Sequence, residues 1–226
     1  MRLFRNRVEA GHKLAEALGE YADRQDVVVL GLPRGGVPVA FEIANHLHAP
    51  LDVMVVRKLG VPGEPELAMG AIAQGGVLYL NQDVIAALAI SQDAIDAVTE
   101  RERQELKRRE RLFRGDRPPL RVGTRTAILV DDGLATGATM SAAVAALRQA
   151  RAKRIGIAVP TAAADSLARL SKECDDVVCL ATPDPYFAVG VWYQDFNQVS
   201  DEEVRELLDR AQQTETRTYP STERVP

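Results

Sequence analysis

The sequence has little of what a disulfide or zinc scaffold requires. Its 226 residues include two cysteines, Cys174 and Cys179, and three histidines, at positions 12, 46 and 48. These spacings give neither a zinc cluster nor a disulfide framework. The cysteines lie around the apolar run Val177-Val178-Cys179-Leu180 and read as reduced thiols, buried or half-buried in a strand. No run approaches about 18 apolar residues, which excludes a membrane-spanning helix. The opening Met1-Arg-Leu-Phe-Arg-Asn-Arg-Val8 lacks the apolar segment and cleavage site of a secretory signal, so a cytoplasmic location is expected. Neither sign of charge dominates. With 28 basic and 32 acidic residues the formal net charge is −4, which gives no global electrostatic reason to expect nucleic-acid or membrane binding.

What is present describes a globular chain. Hydrophobic residues make up 46% and charged residues 27%, which excludes a wholly disordered chain. At about 150 residues per domain, the length allows one α/β domain with a substantial appendage. Ala10, Leu14, Ala17 and Leu18 recur at helical spacing and predict an opening helix over 9–20. Strand signals follow at 26–31, 51–56, 77–80, 126–131, 154–159 and 176–180, alternating with helix signals at 37–47, 81–90, 91–113, 138–150, 162–171 and 202–211. That recurrence predicts a mostly parallel sheet covered on both faces, with its core over about 27–180. The stretch 59–76 is rich in Pro and Gly and reads as a long loop or flap. Residues 101–125 hold ten Lys or Arg and four Asp or Glu. This basic excess could attract a phosphorylated ligand, but it reads more simply as a solvated helix face with opposite-charge pairs. Residues 212–226 form a polar tail, ordered or frayed.

The most informative segment is Ile128-Leu-Val-Asp-Asp-Gly-Leu-Ala-Thr-Gly-Ala-Thr-Met140. It joins a buried strand, two acids, a glycine-containing turn and a helix start. Gly133 and Gly137 allow close backbone approach, Thr136 and Thr139 offer hydroxyls, and N–H groups entering the helix can surround a phosphate without a lysine. Asp131 and Asp132 can accept hydrogen bonds from vicinal sugar hydroxyls, or share a magnesium hydration shell with them. Two other phosphate motifs are missing. The Gly-Ala-Thr turn lacks the lysine of a nucleoside-triphosphatase loop, and no Gly-x-Gly-x-x-Gly follows a strand. A sugar phosphate is therefore the expected ligand.

This segment closely resembles the phosphoribosyl-pyrophosphate motif of the type I phosphoribosyltransferases. The resemblance covers roughly 27–180. It implies an α/β fold with a largely parallel five-stranded core flanked by helices, and a small variable hood formed by terminal segments including 183–226. It also implies that Asp131 and Asp132 contact the ribose hydroxyls, while Ala135, Thr136, Gly137, Ala138 and Thr139 cradle the 5′-phosphate. Leu32-Pro-Arg-Gly-Gly36 looks like the family's pyrophosphate loop, with Arg34 its basic residue and Gly35 and Gly36 giving backbone access; the Arg34–Gly35 peptide is a candidate for the cis form. Lys58, with Arg57 as partner, stands where related enzymes place a basic residue near pyrophosphate. Glu64 and Glu66, on the expected flap, are candidates to coordinate hydrated magnesium or accept a proton.

The segment 186–196 loosely resembles the purine-side segment of hypoxanthine-type members. Phe187 is then the stacking candidate, Val189 a backbone reader and Asp195 a magnesium-side acid alongside Asp131 and Asp132. The spacing is one residue longer than in that subgroup, and Trp192 or Tyr193 could equally stack. The implied reaction is magnesium-dependent transfer of a 5-phosphoribosyl group from phosphoribosyl pyrophosphate to a purine or pyrimidine base, with release of pyrophosphate. Arg34 and Lys58 would serve the leaving group, and the acids the ribose. Family resemblance also implies a homodimer. The alternative is a catalytically weak or inactive regulator that binds phosphoribosyl pyrophosphate or a nucleotide.

Overall fold

The computed structural model describes residues 2–115, 117 and 122–218, apart from the side chains of Glu66 and residues 215–218. Five strands form one all-parallel sheet: β1 (Val27–Gly31), β2 (Leu51–Val53), β6 (Thr126–Val130), β7 (Arg154–Thr161) and β8 (Asp176–Ala181), in the order β2-β1-β6-β7-β8. Every residue of β1 and β6 is buried, as expected of strands covered on both faces. Their side chains alternate between two cores. Val27, Val29, Ile128 and Val130 pack with Leu14 of α1 (Arg7–Ala17), with Leu18 just after it, and with Ile43 and Leu47 from α2 (Gly36–Leu47). Val28, Leu30, Ala127 and Leu129 pack on the opposite face with Met140 and Leu147 of α5 (Ala138–Gln149) and Leu170 of α6 (Ala164–Leu170).

The stretch expected as a flap loop is folded as strands. β3 (Val56–Val61), β4 (Glu64–Ala73) and β5 (Val77–Leu80) form a separate antiparallel sheet, and Pro62-Gly63 turns β3 into β4. The expectation weighed proline and glycine content above the apolar residues between them. Leu59, Val61, Met69 and Ile72 are buried against Ile95, Val98 and Leu106 of α4 (Gln92–Arg114), which follows the short α3 (Gln82–Ala87). α4 is fixed to the parallel sheet by the buried Arg114, whose guanidinium donates to Asp52 at 2.8 and 3.0 Å. The basic stretch 101–125 is, where described, mainly the outer face of α4, with Arg103 on Glu100 and both Arg108 and Arg109 on Glu105.

Residues 3–7 run beside 192–197. Phe4 N donates to Trp192 O at 3.1 Å, Gln194 N to Phe4 O at 2.9 Å and Asp195 N to Arg5 O at 2.8 Å. α7 (Asp201–Thr218) then packs on α2 and α4. Residues 212–218 of the expected tail thus continue a helix, while 219–226 lie outside the described residues. Both cysteines are free and half-buried. Cys179 is in β8, whereas Cys174 precedes it in the turn after α6.

Candidate active site

The strand order reverses direction at β1. The chain proceeds from β1 outward to β2, then returns past β1 to β6 on its other side. In open parallel sheets the crevice at the carboxyl ends of the two strands flanking such a switch point is where ligands bind. The loops after β1 and β6 are the two singled out from sequence. They are in direct contact: a Cβ on Gly35 would sit 2.0 Å from Asp132 Oδ2, and one on Gly36 would sit 2.5 Å from Val130 O. A Cβ at Gly36 would collide with backbone, and one at Gly35 would displace the Asp132 carboxyl. The loop after β1 contains a cis peptide between Pro33 and Arg34, one bond earlier than the Arg34–Gly35 expectation.

The cradle after β6 is a set of open donors. Among the described residues, none of the five backbone N–H groups of Ala135 through Thr139 has an acceptor. Gly137, at φ 69°, makes the left-handed turn into α5, and its neighbours' N–H groups belong to the first turn of that helix. A concave run of such groups at a helix start is an anion nest. Ala135, Thr136, Ala138 and Thr139 are all exposed.

Each of the two acids engages one of its carboxyl oxygens with the protein. Asp131 Oδ1 accepts from Asp132 N at 2.9 Å, and Asp132 Oδ2 accepts from Arg7 Nε at 2.8 Å, with Nη2 of the same ion pair also 2.8 Å away. The other oxygen of each carboxyl has no donor among the described residues. Burial pushes the Asp131 carboxyl well above the usual carboxylate range, and the charge of Asp132 adds to the shift. Burial also raises Asp132, with Arg7 pulling the other way.

Arg7 had no part in the sequence reading. Its Nη1 donates to Asn197 O at 2.7 Å, and its guanidinium lies 3.9 Å from the centre of the Phe196 ring. The only sequence signal was a cation at a helix start, which is common on any surface. The contact depends on pairing between residues 125 positions apart.

Other expected residues fall in several places. Arg34, partly exposed, faces Asp201 of α7 at 3.7 Å. Arg57 is committed to Glu102, to which its Nε and Nη2 donate at 2.9 and 2.6 Å. Lys58 stands next to it on β3, and both line a cavity of about 560 Å³ with the Pro62-Gly63 turn and Arg101. Glu64 opens β4; the side chain of Glu66 lies outside the described residues.

The base-side residues divide. Phe187 is 76% exposed, and Val189 packs against the cradle loop, 2.5 Å from where a Gly133 Cβ would be. Trp192 is half-buried and tilted against Tyr186 with ring centroids 6.0 Å apart. Tyr193 cannot stack on a base. It is 2% exposed, its ring lies between Phe4 and Phe196, and its hydroxyl donates to Asp132 O at 2.6 Å. Burial there drives the phenol well above its ordinary pKa. Asp195 is exposed, and its Oδ1 accepts from Asn197 N at 3.3 Å. It is not gathered with Asp131 and Asp132: among the described residues no three His, Cys, Asp or Glu side chains form a metal-holding group.

Comparison with known proteins agrees with this geometry. The family model described as "Phosphoribosyl transferase domain" matches residues 4–195. Proteins from two strains of Mycobacterium tuberculosis, CDC 1551 and H37Rv, are each 51% identical over 211 residues, and both carry the provisional name phosphoribosyl transferase. Those 211 residues are 93% of this chain but 47% of each relative, so the chain spans about half the length of the curated relatives it matches. The crystal structure of TT1426 from Thermus thermophilus is 43% identical, with a TM-score of 0.84 over 92% of this chain and 98% of that one. With the family model running from Phe4 through both strand-end loops to Asp195, the chain belongs to the phosphoribosyltransferase family and has the type I fold.

Proposed function

We propose that the protein transfers a 5-phosphoribosyl group from phosphoribosyl pyrophosphate to a nitrogenous base and releases pyrophosphate. The observation that carries this reading is the open row of five N–H groups beside two half-buried carboxyls, each with one oxygen left for a hydroxyl. A 5′-phosphate and a vicinal diol are the two ends of one ribose 5-phosphate. With the phosphate in the cradle and the diol on Asp131 and Asp132, the anomeric carbon faces the loop after β1. Gly35 and Gly36 give that loop backbone access, and Arg34 supplies the cation for the leaving diphosphate.

No protein nucleophile is needed. Positive charge develops at the anomeric centre as the diphosphate departs, so the chain contributes position and electrostatics. Loss of a single preorganised oxyanion donor costs about 2.7 to 4 kcal/mol in a well-studied enzyme, which sets the scale for Arg34.

The oxygen donors of Asp131 and Asp132 also suit magnesium, which is commonly held by one or two carboxylates together with substrate oxygens. When bound, that ion would offset charge on the diphosphate. Phe187 and Trp192 remain the aromatic candidates for the base.

Incubation of the chain with labelled phosphoribosyl pyrophosphate, magnesium and a panel of purines and pyrimidines tests the reading. Base-dependent nucleotide formation is expected. Tight binding with no product across the panel would instead identify a phosphoribosyl-pyrophosphate or nucleotide-binding regulator.

A further inference from the structure

Three consecutive carbonyls of the cradle loop are held from behind. Leu134 O accepts from Ala163 N at 2.9 Å, Ala135 O from Ser166 Oγ at 2.6 Å, and Thr136 O from Arg169 Nη2 at 2.5 Å. The donors are spaced three residues apart, the interval that places residues on one face of a helix. Ser166 is 6% exposed, and Leu170 closes the same contact, 3.0 Å from where a Gly137 Cβ would lie. Arg169 is itself tethered to Glu173 at 3.8 Å.

This arrangement has an electrostatic consequence for the anion side. A carbonyl oxygen turned into the cradle would repel a phosphate and remove an N–H from it. Fixing three carbonyls outward before the ligand arrives removes the reorganisation that binding would otherwise require. The Arg169 guanidinium also brings a cation to the back of the loop.

We infer that Ser166 and Arg169 are positioning residues for a phosphate monoester, holding the 135–139 backbone in its anion-binding form from the α6 side. The inference rests on the phosphate reading of that loop and deepens it. Its specific content is that affinity for the 5′-phosphate end of the ligand depends on α6, while affinity for the diphosphate end does not.

The experiment uses the full 226-residue chain. Calorimetric binding of ribose 5-phosphate and of inorganic pyrophosphate is compared for the wild type, S166A, R169Q, R169K and S166A/R169Q, with circular dichroism to confirm folding. Loss of a charge-assisted hydrogen bond predicts that R169Q weakens ribose 5-phosphate binding by about tenfold. S166A should act in the same direction, R169K should recover part of the loss, and pyrophosphate affinity should not change. Arg169 is half-exposed, so its variants test the proposal even where S166A fails to fold. Failure of the wild type to bind ribose 5-phosphate would overturn the phosphate reading and this proposal with it. Wild-type binding matched by the folded variants would overturn this proposal alone, as would equal weakening of both ligands.

Discussion

The cradle and the hood meet at Asp132, and they are built in opposite ways. Ala135 through Thr139 are consecutive, and their open N–H groups follow from a strand end, a left-handed glycine and a helix start in one stretch of chain. The hood side is assembled from residues 3–7 and 192–197, joined by backbone hydrogen bonds and aromatic contacts. The cradle therefore presents unsatisfied groups to a ligand, whereas the hood satisfies groups on the protein. Asp132 takes part in both: one oxygen is held by Arg7 and the other is open. An anion site can be encoded locally, but holding a half-buried carboxyl beside it draws on residues far away in sequence.

The most severe way to break the junction is at Gly35. Gly35→Ala puts a methyl group 2.0 Å from Asp132 Oδ2, so the Asp132 carboxyl must leave its place on Arg7 or the loop after β1 must shift. The expected result is a loss of kcat/KM by two or more orders of magnitude in steady-state assays, on the scale of a lost preorganised donor, about 2.7 to 4 kcal/mol.

Arg7→Ala comes next. It leaves the half-buried Asp132 without its partner, at a cost below the about 3 to 5 kcal/mol typical of breaking a fully buried pair. A lower midpoint in urea denaturation together with weaker ribose 5-phosphate binding is expected. An unchanged midpoint would show that Arg7 does not support Asp132.

Asp131→Asn separates stability from activity. Burial and the neighbouring charge raise the Asp131 carboxyl above its unfolded value, so the native state favours the protonated form. Stability from this group is present below the unfolded pKa of about 3.9 and is lost as pH rises through the higher native value. At neutral pH the variant should melt at a higher temperature than the wild type while losing activity. The gain should shrink as the pH is lowered toward the unfolded value.

The smallest effect is expected far from the junction. The exposed Arg108 of α4 pairs with Glu105 at 2.7 and 2.9 Å, and the charge of Asp201 on α7 acts on it more weakly. Arg108→Ala should leave both the melting temperature and kcat/KM unchanged, as exposed pairs contribute little. A fall in ligand affinity would restore the basic stretch as an anion-steering surface.

Legibility in the sequence follows the same division. The parallel sheet was readable because β1 and β6 are continuous apolar runs, and the cradle because its acids, glycines and threonines are contiguous. The β3–β4 hairpin was not, since Pro62, Gly63, Gly70 and Gly75 signal breaks while the burial of Leu59, Met69 and Ile72 depends on α4. Arg7, Ser166 and Arg169 were missed because each acts on a loop remote in sequence. Tyr193 misled for a related reason. An aromatic-rich segment near the strand ends suits a stacking surface, but here the Tyr193 ring completes the hood core and its hydroxyl serves a backbone carbonyl. Asp195 stands one residue farther along than in the subgroup its segment loosely resembles, and among the described residues it is not gathered with Asp131 and Asp132 into one metal-holding group.

The pairing of residues 3–7 with 192–197 bears on the order in which the site is completed during folding. The cradle lies within one strand–loop–helix unit, so its ring closures are short. The bond from Arg7 to Asn197 spans 190 positions and the one from Arg7 to Asp132 spans 125. Closure entropy grows with the length of chain enclosed, and distant contacts are formed against that cost. The 135–139 cradle can therefore take shape before Asp132 gains its arginine, which makes Asp132 the point where local and global folding are joined.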